Sequence, residues 1–340
     1  MLDNGALILG AGISGMTCAL ALASQDIHVY LVEREKEIGG LVASFSCKAT
    51  DRCNNCGICL LNEKIRAIGD TELITLFTSC RIKEVEGEFN HFDIQLVQGG
   101  GPISVKAKTI VAATGADVFD AREKKQFGYK RYKDVITGLD LEERLRTGSF
   151  HCNFNGNTPR NIAFIQCVGS RDENINHAYC SKVCCKYAIR MAAVLRHLIP
   201  YLNVTIFYMD LQTTGKDFSP RCEEGIEWIN AIPAGIEEGN KLKVRYEDME
   251  KGEILYRDFD LVVLSTGLQP GKENKRLARI LKLNMDDFGF LETRNLVETN
   301  IEGIYACGTS TSPKSIVDSI SSAYVAANRI IRHIGGPIHA

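Results

Sequence analysis

Ala6-Leu7-Ile8-Leu9-Gly10-Ala11-Gly12-Ile13-Ser14-Gly15, followed by Met16 to Ser24 and then Ile27-His28-Val29-Tyr30-Leu31-Val32-Glu33, is the stretch whose reading decides the fold. A short apolar run meets a glycine-rich turn, small apolar residues continue at helical length, and a second apolar run ends in an acid. The three glycines have separate duties. Gly10 allows the tight turn, Gly12 lets a pyrophosphate approach the backbone, and Gly15 lets the helix pack on the strand. The helix start supplies N–H donors and partial positive charge to phosphates, with Ser14 among its first residues. Glu33 is placed to accept hydrogen bonds from a ribose diol. Alone, such a turn is weak and can be purely structural. Here strand, helix, second strand and acid are all in register, which reads as a dinucleotide site in an α/β chain.

Outward from this opening, Cys47 to Gly69 reads as an insertion with a helix near Leu60 to Ile68. Ser79–Glu86, Asp93–Val97 and Ile103–Lys106 read as a small antiparallel meander with a turn at Gly99-Gly100-Gly101. Thr109 to Ala113 is another buried strand. A second α/β unit starts near Arg160, with a strand from Asn161 to Gln166, a helix from about Ala178 to Leu198 and a strand from Val204 to Met209. Phe259 to Ser265 reads as a strand returning to the first domain, and the last helix runs from about Ile316 to His333. The expected organisation is a split first domain, residues 1–119 and 260–340 with its insertion at about 47–70, and an inserted second domain at 120–259.

The 340 residues exceed a usual single core, so two domains are expected. A net charge of −2 gives no reason to expect nucleic acid. No apolar run reaches the roughly 18 residues of a membrane span, and the start lacks a basic leader region, so no membrane insertion and a cytoplasmic location are expected.

Thirteen cysteines are unusual for such a chain. A reducing compartment argues against a disulfide framework, and clustering argues for metal or redox chemistry. Cys167, Cys180, Cys184 and Cys185 are the sharpest group. On a helix from Ala178, Cys180 and Cys184 share one face and Cys185 lies about 100° round it, while Cys167 ends a strand. Four such thiolates suit a [4Fe-4S] cluster, with Arg171, Lys182, Lys186 and Arg190 to offset its charge. The spacing equally admits zinc, a redox dithiol or buried small hydrophobes. Cys53, Cys56 and Cys59 form a second group, which reads as another cluster, a redox dithiol or a structural insertion. Cys18 reads as core. Where a second nucleotide turn would stand, Cys167-Val168-Gly169-Ser170 lacks the glycine pattern, so the second domain is not expected to bind NAD(P)H.

Glu33-Arg34 followed by Gly39-Gly40, Ala112-Ala113-Thr114-Gly115, and Gly303-Ile304-Tyr305-Ala306-Cys307-Gly308 resemble the FAD segments of two-dinucleotide-binding flavoproteins. Thr309 stands where an acid is usual. Cys167 to Asp172, with Tyr179-Cys180-Ser181-Lys182-Val183-Cys184-Cys185-Lys186-Tyr187-Ala188, resembles the signature of the A subunit of heterodisulfide reductase, in which these four cysteines bind a [4Fe-4S] cluster beside FAD. Pro313-Lys314-Ser315-Ile316 resembles that family's Gly-Pro-Lys-Asp-Ile stretch, with Ser312 and Ser315 as departures. The resemblance covers nearly the whole chain. It implies a thioredoxin-reductase-like fold, and FAD held by Gly10, Gly12, Ser14, Gly15, Glu33, Arg34, Gly40, Leu41, Ile82, Thr114, Gly115, Gly308, Lys314, Ser315 and Ile316. From the residues alone, Ser315 also reads as a helix cap and Lys314 as a solvated lysine.

The resemblance implies an oxidoreductase subunit that relays electrons between FAD, cluster and partners resembling heterodisulfide reductase B and C, homodimerisation, and no catalytic residue of its own. The appended ferredoxin runs of longer members are absent from the sequence, as in the short subunit of sulfur-oxidiser complexes; the quinone-interacting oxidoreductase of sulfate reducers uses a related subunit. The rival class is a self-contained NAD(P)H-dependent disulfide reductase using Cys56 and Cys59. A third is a scaffolding subunit that holds FAD structurally.

Overall fold

The computed structural model describes residues 5–51, 53–148, 150, 157–212, 225–248 and 251–334. In chain order the elements are β1 (Gly5–Leu9), α1 (Ile13–Ala23), β2 (His28–Val32), α2 (Leu60–Asp70), β3 (Ile74–Phe77), β4 (Cys80–Glu88), β5 (His91–Gln98), β6 (Gly101–Ala107), β7 (Thr109–Ala112) and β8 (Ala116–Val118). There follow β9 (Val135–Thr137), α3 (Gly138–Arg146), β10 (Asn161–Val168), α4 (Cys184–Leu198), β11 (Asn203–Tyr208), β12 (Ile226–Asn230), β13 (Gly235–Glu238), β14 (Leu242–Asp248), β15 (Glu253–Phe259) and β16 (Leu261–Thr266). β17 (Leu268–Pro270), α5 (Lys272–Leu281), β18 (Ile304–Ala306) and α6 (Ile316–Ile334) complete the chain.

Two compact units result, one from 1–43, 57–117 and 270–340, the other from 44–56 and 118–269. In the first, a five-stranded sheet runs β18-β7-β1-β2-β3. All its pairings are parallel, with β1 between β7 and β2. Such strands are buried on both faces, so they read as continuous apolar runs. Alternation still sorts them. Ala6 and Ile8 face a core with Met16, Ala19 and Leu22 of α1 and Ala323, Ala327 and Ile330 of α6. Leu7 and Leu9 face Ile82, Ile94 and Leu96 of the antiparallel β4-β5-β6 meander and Leu277 of α5. The alanines let α1 and α6 pack closely, and each large side chain removed from water adds about 1.5–3 kcal/mol.

The second unit repeats the plan. Its parallel sheet runs β12-β11-β10-β16-β9. Ile162 and Phe164 of β10 face Ala188, Ile189 and Ala192 of α4. Ala163 and Ile165 face Ile236, Leu242 and Val244 of the antiparallel β13-β14-β15 meander. Two expectations need correction. The strand over Phe259–Ser265 does not return to the first unit's sheet. It is β16, paired parallel with β10 and β9. An apolar run declares burial, not which sheet buries it. The helix expected from Ala178 begins only at Cys184. Lys182 takes a left-handed φ of 60°, and Ser181 Oγ accepts from Leu268 N–H at 2.8 Å. Those two features hold the chain out of the helix.

Candidate functional site

In the first unit, the turn after β1 is built by contact. A Cβ on Gly10, at φ +105°, would lie 2.4 Å from the Ala113 carbonyl oxygen, and one on Gly15 would lie 1.8 Å from that of Gly10. A Cβ on Gly12 would meet only the Gly40 Cα, at 3.9 Å, whereas one on Gly40 would lie 3.1 Å from the Gly12 Cα, so the Gly12 backbone is the open side of the cradle and Gly40 backs it closely. Gly12 caps α1 without a side-chain hydrogen bond, and the first turn carries no acid. The amides at this helix start therefore suit phosphate oxygens. Glu33 is buried, with one carboxylate oxygen accepting from Ala11 N–H at 2.8 Å and the other from Glu35 N–H at 3.0 Å. A carboxylate has about four lone-pair sites, so capacity for ribose hydroxyls remains.

Contacts extend this cradle. Ser14 and Gly308 abut, since a Cβ on Gly308 would lie 2.2 Å from Ser14 Oγ. Lys314 Nζ donates to the Gly308 carbonyl at 3.1 Å, Thr311 Oγ1 at 2.6 Å and Ser312 Oγ at 2.7 Å. Lys314 is thus fixed to the loop after β18. Ser315 Oγ bonds Asp318 at 2.7 Å and accepts from its N–H at 3.1 Å. That is a reciprocal cap on α6, so α6 starts capped where α1 does not. Thr114 Oγ1 donates to Asn274 Oδ1 at 3.1 Å, and a Cβ on Gly115 would lie 3.7 Å from Thr309 Oγ1.

Arg34 lies outside this chain of contacts, paired with Glu35 at 3.1 Å and Glu273 at 3.9 Å. The Ile82 side chain is core and its carbonyl accepts from Arg276. Leu41 is half-buried, and Ile316 rests against Gly57. Asn274 escaped the sequence reading. It is buried, and its amide also donates to the Gly289 and Ser310 carbonyls at 3.3 and 3.2 Å. Nothing in its charged, helix-forming neighbourhood marks it.

In the second unit, the turn after β10 is made of cysteine. A register shift between Ile165 and Val168 forms a bulge, and Cys167 sits in it at φ +58°. Bulges re-aim side chains. The Cys184 thiol is hydrogen-bonded with those of both Cys167 and Cys185. Those bonds, with burial, push Cys184 well up. They draw Cys167 down and Cys185 down to about 7, the latter aided by the Gln212 amide. Burial pushes Cys180 up, while its sulfur accepts from Lys182 N–H at 3.3 Å. Cys180 lies within electrostatic reach of Cys167, Cys185 and Arg171. The four thiols are gathered, although Cys180 lies on the loop before α4 and does not share its face. Of the four cations expected to offset them, Arg171 is beside them, whereas Arg190 donates to the Asn54 carbonyl at 2.7 Å.

Among the described residues, no three His, Cys, Asp or Glu converge as the donors of one metal ion do. An iron–sulfur cube sets each cysteine at its own corner instead. The donor set, four cysteines with the Arg171–Asp210 ion pair alongside, fits that group. Cys53 and Cys59 are exposed and Cys56 is half-buried, with Cys53 accepting from Asn55 N–H at 3.4 Å. Cys18 and Cys307 are fully buried in the first unit's core, where burial pushes both thiols up, Cys307 to about 12.

Residues 8–62 match the family of NAD(P)-binding Rossmann-like domains, and 213–328 that of pyridine nucleotide-disulphide oxidoreductases. The A subunit of the H(2):CoB-CoM heterodisulfide,ferredoxin reductase of Methanothermobacter thermautotrophicus is 30% identical over 96% of this chain and 63% of its own length. The iron-sulfur A subunit of the CoB--CoM heterodisulfide reductase of Methanocaldococcus jannaschii is also 30% identical, over 96% and 64%. Over nearly its whole length this chain is thus similar to heterodisulfide reductase A subunits. It spans a little under two thirds of their length. The aligned stretch of 419 residues exceeds this chain's 340, so the M. thermautotrophicus protein carries inserted segments as well. Among solved structures, Lactococcus lactis thioredoxin reductase superposes with a TM-score of 0.65 at 18% identity, over 98% of this chain and 99% of its own. The fold of this chain is thioredoxin-reductase-like, the fold of FAD- and NAD(P)-binding flavoproteins, and the relatives it matches are oxidoreductases. Among the described residues no helix is long and apolar enough to cross a membrane.

Proposed function

We propose that this chain is the FAD- and [4Fe-4S]-carrying electron-transfer subunit of a heterodisulfide-reductase-like complex, working with B-like and C-like subunits in cytoplasmic sulfur oxidation and forming a homodimer. The observation that carries this reading is the gathering of Cys167, Cys180, Cys184 and Cys185 where a second nucleotide turn would stand. FAD bound in the first unit would exchange one or two electrons, and a cluster on the four thiolates one. The chain's part is to hold and insulate them. Gly10 and Gly15 make the tight turn and the helix packing that leave Gly12, beside Gly40, to present backbone to the pyrophosphate, Glu33 orients a ribose, and Thr114, Gly115 and Gly308 close the cradle. Lys314, Ser315 and Ile316 stand at the start of α6 for the flavin end. Arg34, Leu41 and Ile82 offer peripheral contacts.

A rival reading makes the chain a self-contained NAD(P)H-dependent disulfide reductase. It draws support from Gly57 of the Cys56–Cys59 segment, which lies against Ile316, with a Cβ there 3.1 Å from Ile316 Cγ2. Anaerobic mixing with NADH or NADPH separates the two. A relay protein keeps its flavin oxidised until a one-electron donor or partner subunits are supplied. Rapid bleaching by NAD(P)H alone, lost in Cys56→Ser, would overturn the relay reading.

A further inference from the structure

Among the described residues, three buried side chains beside the cysteine turn have no hydrogen-bond partner. Both amide atoms of Gln166, and the hydroxyls of Ser170 and Ser265, are unpaired. Gln166 is 6% exposed, and the two serines 2% each. Most buried polar groups are paired, so three orphans in one place require a cause. Their placement supplies one. Gln166 immediately precedes Cys167 in the bulge, and Ser265 of β16 lies opposite that bulge, between the Ile165–Leu264 and Val168–Thr266 pairs. Gln166 continues the Ile162, Phe164 series, and Ser265 the Leu261, Val263 series. Both series face the core that α4 covers, and the bulge lies at the strand ends, level with the start of α4 at Cys184 and Cys185. Ser170 follows in the same turn, where Gly267 leaves it room: a Cβ on Gly267 would lie 2.9 Å from Ser170 Cβ. Gln166, Ser265 and the thiols that open α4 thus stand at one end of one sheet face, with Ser170 in the adjoining turn.

We propose that Gln166 and Ser265, with Ser170, donate hydrogen bonds to the sulfurs of the cysteine-bound cluster and set its reduction potential. They are positioning and tuning residues, not ligands, and the proposal rests on the cluster reading above. An amide N–H or hydroxyl donating to sulfur stabilises the more negative, reduced cluster and raises its potential. The Lys182 N–H to Cys180 sulfur bond is a backbone example already in place. The Gln166 amide oxygen is left to accept from a neighbouring hydroxyl or an internal water.

The test is a redox titration of the anaerobically purified holoprotein, followed by electron paramagnetic resonance, with iron, acid-labile sulfide and FAD measured on each sample. The Gln166→Leu/Ser265→Ala protein should keep its iron while its reduction equilibrium moves about tenfold toward the oxidised cluster, about 59 mV for a one-electron couple. Ser265→Ala alone should move part of the way, and Ser265→Thr, which keeps the hydroxyl, should return to the wild-type value. Unchanged potentials at full iron content would overturn the proposal alone, and would mean that the groups meet an internal water. Wild-type protein that holds FAD but no iron would overturn it together with the cluster reading.

Discussion

The two parallel sheets are built alike, with β1 or β10 at the centre, a helix-packed core on one face and a three-stranded antiparallel meander on the other, which α5 joins in the first unit. They differ at the turn that leaves the central strand. After β1 three glycines let backbone approach backbone, and α1 starts at once with an uncapped end. After β10 a bulge turns Cys167 over, and α4 waits until it can begin with Cys184 and Cys185. On the function proposed above, one topological position would serve two chemistries. Backbone amides in a glycine turn suit a pyrophosphate, and side-chain thiolates suit a metal cluster. The fold permits either, and the residues of the turn choose.

Substitutions sharpen the contrast. The largest effect should come from Gly15→Val. Its Cβ would fall 1.8 Å from the Gly10 carbonyl oxygen, with backbone on both sides and no room to yield. Overpacking costs about 1–3 kcal/mol, and a backbone collision more. Purified protein should show loss of flavin absorbance and a large fall in Tm. If Gly15→Val keeps FAD, α1 does not pack as described.

Next comes a buried ion pair that clips the 44–56 segment to the rest of the second unit. Lys48 and Glu142 are paired, each 2% exposed. Ser46 Oγ and Tyr187 OH both donate to Glu142, at 2.7 and 3.1 Å. Burial and then the Glu142 carboxylate push the Tyr187 phenol well up, so it stays a donor. Removing one partner of such a pair costs about 3–5 kcal/mol, while replacing both by apolar groups is often neutral. Lys48→Met should lower stability in urea titration by that amount, and Lys48→Met/Glu142→Leu should recover most of it. A single substitution within about 1 kcal/mol of wild type would show that the clip is dispensable.

A smaller effect is expected at the start of β10. Asp260 accepts from Arg160 and Asn161 N–H at 2.8 and 2.9 Å and pairs with Lys241 at 2.8 Å. Burial would raise its pKa, but Lys241 and the two amides outweigh burial and hold it below the ordinary carboxylate value. A depressed folded-state pKa contributes stability that is present above the ordinary value and lost as pH falls through the lowered one. Asp260→Asn should therefore cost about 1 kcal/mol at neutral pH and almost nothing near pH ~2. An equal difference at both pH values would remove Asp260 from the account. Ser315→Ala, which deletes the α6 cap, should cost a similar or smaller amount, about 0.5–1 kcal/mol.

Local patterns carried much of this molecule in its sequence. Gly10, Gly12 and Gly15 need no partner to be read, because each serves a local geometric need. The β4-β5-β6 meander was legible from the spacing of its strands and its glycine turn, and α2 as a helix near Leu60 to Ile68. What escaped depends on distant chain. β16 is as apolar as its sheet neighbours, and only pairing assigns it to β10. Cys180 leaves the helix because Ser181 is tied to Leu268, far along the sequence. Asn274 joins three segments without a local mark. Gln166 did carry a signal, a polar residue at the end of the apolar run Ile162 to Ile165, and α3 carried one in the Thr137–Asp140 capping box.

The central claim, glycine for FAD at one turn and cysteine for a cluster at the other, is met most directly by counting iron and acid-labile sulfide per FAD in anaerobically purified protein, with Cys184→Ala beside it. The account predicts about four irons per FAD, lost in Cys184→Ala while FAD stays bound. Full FAD occupancy without iron in the wild-type protein would contradict it.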